Sequence, residues 1–260
     1  MHTLSTGTQV LYREGSSVSS TFFERLIGLR PRALHATSMK QQPLIGTGFY
    51  STLENEKQTF DFLNIWVKNT GVRDFVLVDN GQPTSMPTFV GCRHIRINNN
   101  IGHVEQYQKK HRPHILGWSV SWIISALIAY SERRDFIYKE QDCLWFWDCE
   151  QAMIDEAEEN GWIACFGEAY MPEQPCEQSL FWLRWDMIPE FVGKYLSIPE
   201  GDGELLPEGK FVKMKNEDKR IGVFSIGVGR RRPLPLDAKA WYAQKLTAEE
   251  ILTLKEKGLL

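Results

Sequence analysis

The stretch Phe136-Ile137-Tyr138-Lys139-Glu140-Gln141-Asp142 decides how this chain is read. Its opening residues are β-branched or aromatic and predict a short buried strand over 136–138. That strand delivers two carboxylates, Glu140 and Asp142, at its carboxyl end. In extended backbone a two-residue spacing puts both side chains on one face. Two convergent acids at a strand end suit a hard divalent cation, magnesium or manganese, which keeps several waters and takes substrate phosphates as further ligands. The competing reading is a polar turn with solvated charges. The apolar run Cys143-Leu144-Trp145-Phe146 that follows favours a built position.

Working outward, Leu44 to Tyr50 predicts a strand ending in a glycine-containing loop. Residues 54–69 predict a helix with an apolar stripe of Phe60, Leu63, Ile65, Trp66 and Val67, ended by Gly71. Asp74 to Val78 is a short buried strand running into the turn signal Asp79-Asn80-Gly81, His94 to Ile97 another strand, and Trp118 to Ser131 a buried helix. Downstream, Asp148 and Gln151 form a capping-box pattern for a helix from Cys149 to Asn160, and Trp162 to Phe166 reads as a strand. Gln178 to Leu196 reads as helical with a break at Pro189, 199–209 as a surface loop, and Ile221 to Gly227 as a strand. Thr247 and Glu250 box the start of a C-terminal helix.

Strands alternating with helices over 43–166 predict an α/β fold, a mostly parallel sheet with helices on both faces. Ligands of such sheets bind beyond the carboxyl ends of the strands. Three parts are expected: an extension over 1–40, an α/β core over 41–186, and an irregular C-terminal region over 187–260 of the same domain.

The chain has 260 residues, 42% apolar and 24% charged, with a formal net charge of -3. That excludes a disordered chain and the global positive field of a nucleic-acid binder. Five cysteines, without C-x-x-C spacing, argue for free thiols in a reducing compartment, hence a cytoplasmic protein. Met1 to Gln9 has no apolar signal-peptide core. The uncharged run Ile115 to Tyr130 is too short to span a bilayer.

Other residues carry chemistry. Asp79, at a strand end, suits a ribose hydroxyl or a base N–H; equally, it is the Asp of an Asp-Asn-Gly turn. The segment Gly46-Thr47-Gly48-Phe49-Tyr50-Ser51 follows a strand, where backbone N–H groups meet nucleotides. It lacks the third glycine of a dinucleotide fingerprint. Arg230, Arg231 and Arg232 offer guanidinium forks for a diphosphate, or a solvated turn. His111 and His114 have metal-like spacing but no evident third ligand.

The order of these features resembles the GT-A glycosyltransferases: a nucleotide loop after the first strand (Ile45 to Ser51), a strand ending in Asp79, a long buried helix, then a strand carrying Glu140 and Asp142. The resemblance covers roughly 43–185 and is one of pattern, with Glu140 in place of the first Asp of D-x-D. It implies a Mn2+ or Mg2+ ion held by Asp142 and Glu140 on a nucleotide-sugar donor, a base pocket lined by Thr47 and Tyr50, and Asp79 on the base or ribose. It also implies an acidic base at a helix start, the place of Glu177 in Pro175-Cys176-Glu177-Gln178, acting on the hydroxyl of a glycan or other acceptor. The alternative for Glu177 is an acid stabilising a helix N-terminus.

The chain holds 9 Trp. Trp66, Trp118, Trp122 and Trp162 are expected in the core. Trp145, Trp147, Trp182 and Trp185 follow the acids, and Trp145 and Trp182 are the candidates for stacking on a sugar ring. Two other readings stay open, a sugar-1-phosphate nucleotidyltransferase and a non-catalytic carbohydrate- or nucleotide-binding relative. The sequence leaves the oligomeric state unknown.

Overall fold

The computed structural model of the chain describes residues 41–50, 56–71, 73–81, 86, 88–97, 117–168, 176–198, 207–227 and 229–260. The expectations for 1–40 and for His111 and His114 lie outside these residues.

The alternating pattern builds β1 (Leu44–Phe49), α1 (Glu56–Thr70), β2 (Phe75–Asp79), β3 (Cys92–Arg96), α2 (Gly117–Glu132) and β4 (Phe136–Lys139). There follow β5 (Cys143–Trp147), α3 (Cys149–Glu159), β6 (Ala164–Glu168), β7 (Cys176–Leu183), α4 (Ile188–Ser197), α5 (Pro207–Glu217), β8 (Ile221–Val223), β9 (Ala240–Gln244) and α6 (Ala248–Glu256). The main sheet has seven strands in the order β3-β2-β1-β4-β7-β6-β8. Only β7 runs against the others. The fold is thus α/β with a mostly parallel sheet, as the alternation predicts.

Both faces of the sheet are covered. Leu63 and Trp66 of α1, Met153 and Ala157 of α3 and Leu254 of α6 pack on one face with Ile45, Leu77, Ile137 and Trp182. Trp122 of α2, Phe191 of α4 and Phe211 of α5 pack on the other with Val76, Phe136, Phe181 and Phe166. Strands buried on both sides read as continuous apolar runs, which is why Phe75 to Val78 shows no alternation. Among the described residues no helix is long and apolar enough to cross a membrane.

A second, two-stranded sheet pairs β5 with β9 antiparallel. Its register sets Cys143 opposite Gln244. The strand from the end of the chain thereby reaches the acid pair, so the C-terminal region completes the core: β8 extends the main sheet and β9 the small one.

Several local expectations change. Residues 178–183 are strand, not helix: β7 inserts between β4 and β6, and the helix starts only at Ile188, with Pro189 in its first turn. A proline there lacks only an N–H that has no intrahelical partner. Asp148 makes no side-chain cap, and Gln151 instead bonds Asp155 at 2.6 Å. The capping box of Thr247 and Glu250 is present. All five cysteines are free.

Candidate functional site

Residues 140–142 form the turn that joins the two sheets, with Cys143 N–H donating to the Glu140 carbonyl at 2.9 Å. The two acids therefore do not converge through extended spacing, as the sequence suggests. They converge on a shared donor. Gln244 Nε2 lies 2.6 Å from Glu140 Oε2 and 3.1 Å from Asp142 Oδ1. Gln244 Oε1 accepts in turn from Arg230 Nε at 3.0 Å. The turn is braced from behind, where Trp66 Nε1 donates to the Glu140 carbonyl at 3.0 Å.

The acids open into a cleft of about 430 Å³. It is lined from the carboxyl ends of β1 and β4 and from the residue after β2 by Tyr50, Glu140, Asp142 and Asn80. The starts of α2 and α5 add Trp118 and Glu208, and Arg230 and Lys245 line it as well. This is the strand-end position expected of a ligand site in an open α/β sheet.

The electrostatics are those of crowded acids. Desolvation, then repulsion from Asp142 and Glu177, pushes the Glu140 carboxyl well above its ordinary range. Desolvation likewise raises Asp142, opposed first by the Gln244 hydrogen bond and then by Lys245 and Arg230. Glu177 is raised by burial and by Asp142, with Arg230 opposing. Arg230 thus offsets the charge of all three carboxylates.

The remaining candidates divide. Tyr50 lines the cleft, and its N–H donates to Gln141 Oε1 at 3.2 Å, tying the end of β1 to the acid turn. Asp79 ends β2 fully buried, 3.6 Å from His94 Nε2 and from Arg96 Nε; its neighbour Asn80 reaches the cleft instead. Thr47 is fully buried within β1 and does not line the cleft. Gly46 and Gly48 belong to that strand, not to a phosphate loop. A Cβ on Gly46 would lie 2.4 Å from Ser125 Cβ, and one on Gly48 2.7 Å from Ser121 Oγ. The glycines let α2 lie close on the sheet.

Trp145 and Trp182 are corrected: neither lines the cleft. Trp145 is 6% exposed, with Nε1 bonded to the Asn69 carbonyl at 3.1 Å and Lys139 Nζ 4.4 Å from its ring. Trp182 is 1% exposed, in a strand covered on both faces. The tryptophan that does line the cleft is Trp118, taken from sequence as core. Glu177 is also displaced from its expected helix start. It lies in β7, 3% exposed, and Gln178 lines the cleft in its place. Glu208, which the sequence reading passed over, stands in the first turn of α5 with Gln178 Nε2 donating to it at 2.7 Å. No local signal marks Glu208, because 199–209 reads as loop; Gln244 is likewise hidden, since its role comes from β9 pairing.

Among the described residues no group of three or more His, Cys, Asp or Glu side chains is placed to hold a metal by itself. Glu140 and Asp142 still fit a hard dication. They are two carboxylates oriented on one amide, and their mutual repulsion is what a cation relieves.

No protein-family model matches the chain, and no curated protein matches it. Solved structures do. A glycosyltransferase involved in the glycosylation of the major capsid of PBCV-1 is similar over 85% of this chain and 100% of its own, at 11% identity and a TM-score of 0.46. TarS 1-349 of S. aureus is similar over 78% of this chain, at 10% identity and a TM-score of 0.45. The glycosyltransferase GlyE of Streptococcus pneumoniae TIGR4 is similar over 72%, at 9% identity and 0.42. The chain spans 60% of the TarS structure and 46% of the GlyE structure.

Proposed function

We propose that the chain is a GT-A-type glycosyltransferase that moves a sugar from a nucleotide-sugar donor to an acceptor hydroxyl with divalent-metal assistance. The observation that carries this reading is the convergence of Glu140 and Asp142 on Gln244 at the strand-end cleft, with Arg230 and Lys245 beside them. Paired carboxylates next to two cations match a metal-bridged diphosphate. They repel a bare phosphate and attract one that brings a dication.

The Glu140 and Asp142 carboxylates would hold the metal, Mn2+ or Mg2+, whose charge would stabilise a departing diphosphate. Gln244 orients both acids. Arg230 and Lys245 supply positive charge to phosphate oxygens on the same wall. Tyr50 and Asn80 line the part of the cleft nearest β1 and β2, where the nucleoside lies. An inverting reaction needs a carboxylate at the acceptor hydroxyl. Glu208 lines the cleft and takes that role in this reading, while Glu177, buried in β7, acts on the acids through its charge.

Donor hydrolysis tests the proposal. Purified protein with manganese is incubated with a panel of nucleotide sugars, and released nucleoside diphosphate is measured. Metal-dependent release from at least one donor, lost in Asp142→Ala, is expected. Release from none, or release unaffected by chelation, contradicts it.

A further inference from the structure

Lys245 lines the cleft in a backbone conformation that a side chain resists. Its φ is 54°, in the left-handed region, where a Cβ crowds the neighbouring carbonyl and glycine sits without cost. A glycine would make the same turn unstrained, so what a lysine adds here is an ammonium at the cleft. Such a conformation persists only where the surroundings over-determine it.

Those surroundings are one guanidinium. Arg232 Nη2 donates to the Gln244 carbonyl at 3.2 Å and to the Lys245 carbonyl at 3.4 Å. These two carbonyls stand on either side of the strained dihedral, so a single nitrogen fixes it. Arg232 Nη1 donates to the Arg231 carbonyl at 2.8 Å, within its own turn. Glu250 holds the other edge of the guanidinium, with Oε1 on Nε and Oε2 3.1 Å from Nη2. Glu250 is itself fixed, because Oε2 accepts from the Thr247 N–H at 2.8 Å in the capping box of α6. The chain is thus tied at 244, 245 and 247, directly after β9. Arg230 and Lys245 line the cleft and Arg232 does not. Of the three arginines that the sequence offers to a diphosphate, Arg232 spends its fork on carbonyls and a carboxylate. Gln244 is held independently: its N–H donates to the Gly229 carbonyl at 2.9 Å, and β9 pairing sets it opposite Cys143.

We infer that Arg232 is a positioning residue: with Glu250 as its counter-ion, it holds Lys245 in a left-handed turn that keeps the ammonium on the cleft wall, where it meets a phosphate oxygen. The inference rests on the proposed function in placing a diphosphate at Glu140 and Asp142.

Calorimetric titrations with manganese alone, and with inorganic pyrophosphate in saturating manganese, test it. Wild type is expected to bind both. Lys245→Met weakens pyrophosphate about tenfold, the loss of one charge-assisted contact. Arg232→Lys keeps the positive charge but replaces the planar fork by a point charge that cannot hold two carbonyls and Glu250 together. It weakens pyrophosphate by a similar factor and leaves manganese unchanged, which also shows that the variant is folded. The double variant binds no more weakly than Lys245→Met, because the two residues act through one contact. Lys245→Gly, freed of the strain, melts about 2–4 °C higher than wild type. Wild-type pyrophosphate affinity in Lys245→Met or Arg232→Lys, losses that multiply in the double variant, or manganese binding weakened as much as pyrophosphate binding overturns the inference while the diphosphate site stands. A Lys245→Gly protein that melts no higher than wild type overturns it as well. If wild type binds no pyrophosphate with manganese, the metal–diphosphate reading fails, and this one with it.

Discussion

Gln244 Nε2 donates to Glu140 Oε2 at 2.6 Å across 104 positions of sequence, and the same nitrogen lies 3.1 Å from Asp142 Oδ1. One amide sets the separation of the two acids. Gln244→Leu is therefore expected to weaken manganese binding about 10- to 100-fold, the usual range for a partner that orients metal ligands. Titration of the ion, followed by the electron-spin signal of free manganese, measures it. Unchanged affinity would show that the acids find their positions without Gln244.

The acid pair is expected to be a stability cost. Asp142 has its native pKa raised above the ordinary 3.8. Its contribution to stability is thus lost as pH rises above that value through the native one. Asp142→Asn keeps an Oδ1 acceptor for Gln244 and removes the charge. We expect its melting temperature at pH 7 to rise by about 2–4 °C, the equivalent of ~1 kcal/mol in a chain of this size, while metal-dependent nucleotide binding disappears. A lower melting temperature would contradict this.

Lys139 gives a different pH signature. It is fully buried, with Nζ donating to Asn69 Oδ1 at 2.7 Å and to Thr70 Oγ1 at 2.9 Å. Burial lowers its pKa from 10.5 to about 7. Between those values the unfolded chain holds a proton that the native chain releases, so this group's contribution to stability rises with pH there. The buried thiols act oppositely above their ordinary value of 9.0, as with Cys92, pushed up to about 11. The window between about pH 7 and pH 8.5 lies below the thiols, and comparison with a variant lacking the amine isolates the lysine within it. Urea unfolding across it is expected to show a rising stability that flattens in Lys139→Met; parallel slopes would contradict the assignment.

Gly48 is expected to tolerate no side chain. An added Cβ would lie 2.8 Å from Ser121 Cβ and 3.2 Å from Tyr138 Oη. Gly48→Ala should cost about 1–3 kcal/mol of unfolding free energy by overpacking, measured by urea titration. A loss within experimental error would mean that α2 moves away freely.

The sheet was legible because strands buried on both faces leave apolar runs, and Phe75 to Val78 and Phe136 to Tyr138 do so in plain sight. β7 was not: Leu180, Phe181, Trp182 and Leu183 form an apolar run that is strand by burial, yet the long apolar stretch around it also fits a helix, and periodicity alone does not separate the two. Read as helix, the stretch puts Glu177 at a helix start, whereas it lies in β7. The acid pair was legible as residue types, whereas its geometry was not, because the turn at 140–142 and the pairing of β5 with β9 are tertiary events. Trp145 and Trp182 lie close to the acids in sequence, but β5 and β7 turn those side chains into the core. Trp118 reaches the cleft because it lies in the first turn of α2, whose N-terminus points at the strand ends.

The most direct measurement is calorimetric titration of a nucleoside diphosphate into the wild-type protein and into Asp142→Ala, each with manganese and with chelator. The account predicts binding by the wild type only when manganese is present, and none by Asp142→Ala in either condition. Binding of equal strength with and without the metal, or binding retained by Asp142→Ala, would contradict the assignment of Glu140 and Asp142 as the metal–diphosphate site.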